Sequence, residues 1–222
     1  MTFSLAGRCT RTGMLGAVVT TSSMAVGSRC PYAKAGIGAA LTQNRTDPRL
    51  GPLALDLLGR GFSAEEAKNA VVAVTPHRDW RQLAIIDHRG RTASFSGAHV
   101  RDGKGEAHGQ DCVAIANIVR SAEIPRAMVK AFEAAVAKPL AQRLIAALAA
   151  GEEAGGEFQP VTSAALLVAY QESFPYIDLR VDDHAAPIEE LARLLHSYEP
   201  EADPYVTRAV DPDNATRPSG MR

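Results

Sequence analysis

The sequence predicts an α+β domain in which helices pack on antiparallel sheet. Short apolar runs separated by polar, glycine-containing turns occur near both ends of the chain, and such runs are typical of β-hairpins. Between them the apolar residues recur every three to four positions, which predicts helices. No clear linker divides the 222 residues. Residues 1–198 are therefore expected to form one domain, and residues 199–222 an appendage to it.

The N-terminal part of the chain has the pattern of β-strands. Residues 2–8 and 14–21 are apolar and flank the polar turn CTRTG, so they predict a hairpin. Counting back from this turn places Thr2 beside residues 20–23. The small-residue stretch AKAGIGAALTQ, residues 33–43, predicts one further strand.

Two helices and a second hairpin are predicted next. Pro48 stands near the start of the first helix, and Ser63 and Glu66 have the spacing of a capping box at the start of the second. The hairpin strands are expected at residues 81–87 and 91–97. Residues 102–112 are polar and glycine-rich, which predicts a loop over a surface or pocket.

The C-terminal half is predicted to add three helices and one more pair of strands. Apolar stripes between residues 124 and 150 predict two helices, the second of which begins at Pro139. Residues 163–170 and 176–182 have the pattern of strands, and a last helix follows Pro187.

From Glu199 onward the sequence is polar, rich in proline and without periodicity. This composition predicts an extended or disordered arm over residues 199–222. A proline-rich arm on a compact chain commonly packs on a neighbouring copy, and two-fold dimers are the commonest assemblies. We therefore expect a homodimer.

Composition excludes several classes of function. The chain has 24 Lys+Arg against 25 Asp+Glu, a formal charge of −1, so nucleic acid is not an expected partner. No apolar run approaches the roughly eighteen residues of a membrane span, and no membrane partner is expected. The N-terminus lacks the apolar stretch of a secretory signal, which predicts a cytoplasmic protein. The three cysteines, Cys9, Cys30 and Cys112, are far apart and are expected to be buried, reduced thiols.

Thr2 is the most informative single position. Methionine aminopeptidase generally removes Met1 when the next residue is this small, which would leave a threonine with a free α-amine. A hydroxyl and an amine on one residue form a nucleophile with its own base, because an α-amino pKa of roughly 7.7–8.0 lies close to the working pH. A small second residue is also common in ordinary cytoplasmic proteins.

The opening TFSLAGRCTRTGMLGAVVTTSSMAVGSRCPYAKAGIGAALTQ resembles the first three strands of the N-terminal nucleophile (Ntn) hydrolases, which include the proteasome β subunits. To about residue 197 the chain more closely resembles the DUF1028 family, through TFSLAGR, AVGSRCPYAKAGIGAALTQ, DPRLG and DLRVDDH. This resemblance implies an αββα sandwich of the Ntn-hydrolase type, with two antiparallel sheets between helical layers. It supplies no established substrate.

The resemblance also implies roles for individual residues. Thr2 would be the nucleophile that heads a strand, and Lys34 falls where the group has its activating lysine. Ser22 and Ser23 fall where the group often has an acid, so the usual partner of the lysine is missing. Asn117 matches the asparagine of a family stretch, and its amide could donate to an oxyanion. The alternative for Asn117 is an amide that satisfies backbone groups.

Other candidates follow from side-chain chemistry. The planar guanidinium of Arg29 suits a carboxylate, with a solvated surface charge as the alternative. His108 lies in the expected loop over a pocket. Asp182 opens the sequence DDH, which could bind a divalent metal or position a water. The alternative there is an ion pair with Arg180 followed by a turn.

Together these features favour a hydrolase that cleaves a C–N amide-like bond in a small molecule. The candidate catalytic residues are Thr2, Ser23, Lys34 and Asn117. The candidate substrate-binding residues are Ser22, Arg29, His108 and Asp182. No nucleotide-binding motif is present, and we expect neither a cofactor nor a bound metal. Two alternatives stay open: a non-catalytic ligand-binding or scaffold protein, and a metal-assisted hydrolase or cyclohydrolase that uses Asp182, Asp183 and His184.

Overall fold

The computed structural model describes residues 1–101 and 103–215. Over these residues the chain forms ten strands and five helices. The strands are β1 (Thr2–Arg8), β2 (Leu15–Thr21), β3 (Pro31–Lys34), β4 (Gly38–Asn44), β5 (Arg81–Asp87), β6 (Thr92–Ser96), β7 (Gly105–Gly109), β8 (Cys112–Asn117), β9 (Ser163–Ala169) and β10 (Pro175–Val181). The helices are α1 (Leu50–Gly59), α2 (Ala64–Val74), α3 (Ile124–Ala134), α4 (Leu140–Glu153) and α5 (Pro187–Val210).

The strands form two antiparallel sheets that pack face to face. The first sheet has six strands in the order β10-β9-β2-β1-β8-β7, and the second has four in the order β3-β4-β5-β6. β1 lies inside the first sheet and pairs with β2 on one side and β8 on the other. The N-terminal strand is thus held on both edges, which fixes the position of Thr2.

Three of the apolar clusters define four layers. Helices α3, α4 and α5 cover the outer face of the first sheet, and α1 and α2 cover the outer face of the second. A third core fills the space between the sheets with small and branched side chains from both of them. This arrangement is a mixed α+β sandwich with helices outside two antiparallel sheets, as the sequence pattern and the family resemblance together lead one to expect.

Most predicted elements are confirmed. The hairpins β1–β2, β5–β6 and β9–β10 lie where the apolar runs predict them. The capping box at the start of α2 is present, because Ser63 Oγ accepts from the Glu66 N–H and the Glu66 carboxylate accepts from the Ser63 N–H. Helix α4 begins at Leu140, directly after Pro139, as the sequence predicts.

The prediction of a single strand over residues 33–43 is wrong. Two strands, β3 and β4, occupy this region and form a hairpin in which Lys34 pairs with Gly38. The turn between them contains Gly36 at φ 67°, a left-handed conformation that glycine adopts without steric cost. The glycines of this stretch therefore mark a turn as well as close packing.

The predicted loop over residues 102–112 is also partly wrong. Residues 105–109 form β7, an edge strand that pairs with β8. Its sequence, GEAHG, has little intrinsic strand propensity, so backbone pairing with the neighbouring strand decides its conformation. Residue 102 lies outside the described residues.

The extended arm predicted from Glu199 differs from the structure. Helix α5 continues through Pro200 and Pro204 to Val210. The second half of this helix packs on β10, because the Tyr176 hydroxyl donates to Asp203 at 2.9 Å and Ala202 is buried. These contacts offset the backbone hydrogen bonds that each proline removes. Residues 216–222 of the predicted arm lie outside the described residues.

Candidate functional site

The space between the two sheets is apolar at one end and polar at the other. Inward-facing side chains at the apolar end include Leu15, Leu41, Ile86 and Val113. The opposite end holds polar side chains on strands of both sheets: Thr2, Ser4, Thr21, Gln43, Gln82 and Asn117, all buried. Because burying polar groups is costly without partners, this concentration at one end points to a site there.

Thr2 begins β1 at the polar end and is 7% exposed. Its hydroxyl contacts the Met1 carbonyl oxygen and lies 3.4 Å from the hydroxyl of Thr21 on the adjacent strand. Thr21 itself donates to the Met1 carbonyl at 2.5 Å. The expectation that Thr2 lies beside residues 20–23 is confirmed, since Phe3 pairs with Thr20.

Asn117 lies directly opposite Thr2 on β8 and is completely buried. Its Nδ2 donates to Gln82 Oε1 at 3.0 Å, an oxygen that also accepts from Gln43 Nε2 at 2.7 Å. Gln82 Nε2 donates to the Ala116 carbonyl at 2.9 Å, which fixes the orientation of the amides. Asn117 Oδ1 is then left buried without a hydrogen-bond partner in the described part of the chain. Thus an unused acceptor lies behind Thr2.

A pocket of about 370 Å³ opens at Thr2. Its wall contains three arginines, Arg29, Arg45 and Arg81, and it is lined by Met1, Thr2, Ser23, Val26, Arg29, Cys30, Asn44, Arg45, Thr46 and Arg81. None of these residues is acidic. Burial raises the pKa of the Cys30 thiol to about 11, so this pocket cysteine is neutral near pH 7. The pocket, which we call the Thr2 pocket, therefore has the charge and size to take a small anion.

Arg81 places its guanidinium at the wall of the Thr2 pocket, with its side chain 12% exposed. One terminal nitrogen donates to the Arg45 carbonyl, and another lies 3.6 Å from Asp47 Oδ2. Its Nε is buried without a partner among the described residues. Asp47 is engaged more closely by Arg49, at 2.7 Å. Arg81 thus adds a largely buried positive charge to the pocket wall.

Glu157 lies near the N-terminal amine and is 4% exposed. Its Oε2 accepts from the Ser22 N–H at 3.0 Å, whereas its Oε1 has no partner among the described residues. Burial raises the pKa of the Glu157 carboxyl, and burial likewise lowers the pKa of the Met1 amine. The Glu157 carboxylate therefore lies beside Ser22, in the segment where the sequence has Ser22 and Ser23 rather than an acidic residue.

The remaining predicted residues near the pocket have structural partners. Ser23 lines the pocket, and its hydroxyl accepts from Arg29 at 2.8 Å. Arg29 also donates to the carbonyls of Met24 and Ala25. Ser22 uses its backbone N–H on Glu157. The guanidinium of Arg29 therefore organises the loop after β2 and contributes positive charge to the pocket.

Lys34 and His108 do not lie at Thr2. Lys34 is exposed and pairs with Gly38, whereas the pocket lies at the Asn44 end of β4, six residues and about 20 Å away. The side chain of His108 bridges the edges of the two sheets through Thr92, at 2.7 Å, and Ser94, at 2.9 Å. The structure thus corrects the placement of both residues, because the turn at Gly36 directs Lys34 to the far end of the sandwich.

Asp182 is exposed, and its backbone carbonyl accepts from the Ala25 N–H at 2.8 Å. His184 accepts the Ala186 N–H on Nδ1 at 3.0 Å, as expected of a turn. Arg180 pairs with Asp178 at 2.9 Å. Across residues 1–101 and 103–215, no group of three or more His, Cys, Asp or Glu side chains is placed to hold a metal ion. The sequence DDH therefore supplies no metal site of this kind.

Sequence reasoning missed Arg45, Arg81, Gln82 and Glu157. The signal available for Gln82 was a polar residue in the otherwise apolar strand RQLAIID, at a position that alternation assigns to the inner face. Gln43 and Ser4 carry the same signal. No local pattern distinguishes Glu157, which lies in the glycine-rich segment after α4 and is positioned by a bridge to Val119.

The class of protein is an α+β sandwich with a polar pocket at the head of its N-terminal strand. Residues 2–191 match the family described as "Family of unknown function (DUF1028)", and the chain belongs to that family. The crystal structure of SPO2555 from Silicibacter pomeroyi, described as a DUF1028 protein, is 32% identical with a TM-score of 0.82. The match covers 89% of this chain and 88% of that one.

A second solved structure, Anbu (ancestral beta-subunit) from Yersinia bercovieri, aligns at 10% identity with a TM-score of 0.41, covering 99% of this chain and 100% of that one. No curated protein matches the chain. In the residues that the structure describes, we find no helix with the length and apolar character needed to cross a membrane.

Proposed function

We propose that the protein is an Ntn-type hydrolase that cleaves a C–N amide-like bond in a small, carboxylate-bearing molecule after removal of Met1. The observation that carries the proposal is the position of Thr2. Its side chain heads an inner strand, faces the polar end of the space between the sheets and lines the Thr2 pocket. Removal of Met1 would free the α-amine of the same residue in that pocket.

The chemistry follows from the two groups of Thr2. Its hydroxyl attacks the amide carbonyl carbon of the substrate, and its α-amine accepts the hydroxyl proton. The C–N bond then breaks, the proton passes to the leaving nitrogen, and the acyl group stays on the threonine oxygen as an ester. Water hydrolyses this ester, which releases a carboxylic acid and restores Thr2. The neighbouring Thr21 hydroxyl, 3.4 Å from that of Thr2, is close enough to join the proton transfers.

Asn117 and the pocket arginines supply the remaining roles. Asn117 Oδ1 is an unused buried acceptor, so we assign it to the freed Thr2 amine rather than to an oxyanion, which requires a donor. Arg81 and Arg45 bind the substrate carboxylate, because an arginine fork matches the two oxygens of that group. Arg29 and Ser23 hold the loop after β2, which also lines the pocket. Lys34 has no part in this arrangement.

The first test is the intact mass of protein expressed with its native N-terminus. Loss of one methionine is expected, and it is the condition for the amine to act as base. The processed protein is then screened against small amides that carry a carboxylate, alongside Thr2→Ala and Thr2→Ser. Thr2→Ala should lose at least about 10³-fold in kcat/KM, whereas Thr2→Ser retains a hydroxyl and measurable turnover. Equal turnover by Thr2→Ala would overturn the proposal.

Non-catalytic ligand binding is the second candidate, and the N-terminus favours it. The Met1 carbonyl is held by Thr21, and the Met1 amine is partly buried near Glu157. If Met1 is retained, the Thr2 nitrogen is an amide and cannot serve as a base, while the arginine-lined pocket can still bind an anion. This candidate predicts retained Met1 by mass, together with a carboxylate-dependent rise in Tm and no turnover.

A further inference from the structure

A second cavity lies at the end of the sandwich opposite the Thr2 pocket. Its volume is about 520 Å³, and it lies beside Arg8, at the C-terminal end of β1, whereas Thr2 begins the same strand. Its lining comes from the β1–β2 turn, the β7–β8 turn and the neighbouring ends of α3 and α4: Arg8, Thr10, Gln110, Asp111, Glu133, Val136 and Arg143. We call this the Arg143 cavity.

Arg143 is the unusual residue of this cavity. It is 5% exposed, yet no carboxylate of the described residues lies within 4.0 Å of its nitrogens. Its Nε donates to the Phe132 carbonyl at 3.1 Å, and its guanidinium carbon lies 3.8 Å from the centre of the Phe132 ring. The described part of the chain provides no hydrogen bond for its two terminal nitrogens. Phe132 thus fixes the orientation of a guanidinium whose outer edge has no partner.

The other charged groups of the cavity already have partners. Arg8 pairs with Asp111 at 2.7 Å, and Gln110 Nε2 donates to the second oxygen of Asp111 at 3.0 Å. Glu133 Oε1 accepts from the Gln110 N–H at 2.7 Å. Among residues 1–101 and 103–215, these bonds leave Arg143 as the cavity cation without an ion-pair partner, while the Glu133 carboxylate is held by a backbone N–H. Burying an unpaired cation costs free energy, and a ligand that supplies the opposite charge offsets that cost.

We propose that the Arg143 cavity binds a small monocarboxylate, separately from the Thr2 pocket. A carboxylate presents two coplanar oxygens that match the two terminal nitrogens of the guanidinium, and Phe132 holds that plane in place. The carboxylates of Asp111 and Glu133 line the same cavity, so they disfavour ligands of higher negative charge such as phosphates. The volume suits a ligand of metabolite size.

The proposal is tested by titrating propionate into the full chain at constant ionic strength while recording the side-chain Nε–H NMR signals of the arginines. A saturable shift of the Arg143 signal in the millimolar range is expected, and inorganic phosphate should shift it less. Arg143→Met should abolish this site and the corresponding part of the propionate-induced rise in Tm. Arg45→Met, which changes the Thr2 pocket, should leave the Arg143 shift intact.

Arg143→Lys provides a second variant in case Arg143→Met does not fold, since it keeps the charge but loses the planar fork. It should weaken propionate binding at this site at least fivefold. The measurement is the propionate-induced rise in Tm in a protein that also carries Arg45→Met, so that the Thr2 pocket does not contribute. Wild-type affinity in Arg143→Lys, no saturable shift of the Arg143 signal, or tighter binding of phosphate than of propionate would each overturn the proposal. None of these results depends on whether Thr2 is a nucleophile.

Discussion

Thr2 and Asn117 lie opposite each other across the β1–β8 pair, and both side chains face the space between the sheets. The hydroxyl of Thr2 is at the pocket, whereas the amide of Asn117 is completely buried behind it. Asn117 donates to Gln82 and retains an acceptor without a partner in the described part of the chain. A buried acceptor of this kind is rare in folded proteins. In the proposed function, its donor is the Thr2 amine that removal of Met1 would free.

Replacing Asn117 by Ala tests its role as a positioning residue. Loss of its acceptor should lower kcat about 10- to 100-fold and shift the apparent pKa of the Thr2 amine in the kcat/KM profile. Loss of the bond to Gln82 should cost about 1 kcal/mol in the free energy of unfolding. Ser96→Ala is the matched control, because Ser96 also bonds Gln82, at 3.0 Å, but belongs to β6 and does not line the Thr2 pocket. An unchanged pH profile in Asn117→Ala would assign the residue to structure alone.

Arg81→Met tests recognition of a carboxylate in the Thr2 pocket. We expect KM for a carboxylate-bearing substrate to rise about tenfold or more with a smaller change in kcat, because a charge-assisted bidentate contact is lost. Arg49→Met is the control, since Arg49 also contacts Asp47 but does not line the pocket. Steady-state kinetics on both variants provide the comparison. A larger rise in KM for Arg49→Met than for Arg81→Met would contradict the assignment.

Glu157→Gln is expected to change how stability depends on pH. Burial raises the folded-state pKa of Glu157 above its unfolded value of about 4.3, so the folded state binds more protons between these two pKa values. The contribution of Glu157 to the free energy of unfolding therefore falls as pH rises through that window. The glutamine variant should match wild type near pH 4 and exceed it near pH 7. Urea unfolding across this range measures the difference, and a less stable variant at pH 7 would contradict it.

Pro200→Ala should stabilise helix α5. Pro200 is exposed within the helix and has no N–H for the carbonyl of residue 196, so alanine restores that bond. We expect a gain of about 1–2 kcal/mol in the free energy of unfolding, after allowing for the more flexible unfolded chain. Pro212→Ala, in the exposed turn after α5, is the control and should be neutral or slightly destabilising. Thermal and urea unfolding measure both variants.

A homodimer stays a prediction, and light scattering on the full chain tests it. The expected mass is twice the 23.5 kDa of one chain. Residues 199–210 are helical and pack on β10 of the same chain, so they are not the free arm on which the prediction was based. A monomeric mass at high protein concentration would contradict the dimer prediction, and it would leave both proposed sites unaffected.

Several features of the protein follow from the sequence by itself. The alternation in residues 2–8 and 15–21 and the short turn between them determine a hairpin, and this places Thr2 beside Thr21. Ser63 and Glu66 determine the start of α2, because their bonds form within one helical turn. In each case the interacting residues are close in sequence or in a register set by a short turn.

The tertiary structure alone decided which distant residues meet. Arg81 and Asn117 reach the end of the sandwich occupied by Thr2 because strands β4, β5 and β8 pair in one particular order and register. The same pairing moves Lys34 to the other end, although it is closer to Thr2 in sequence than Arg81 is. Pro200 and Pro204 disfavour a helix locally, but the packing of α5 on β10 outweighs this local effect. These placements depend on contacts between residues far apart in the sequence, and no local pattern predicts which of those contacts will form.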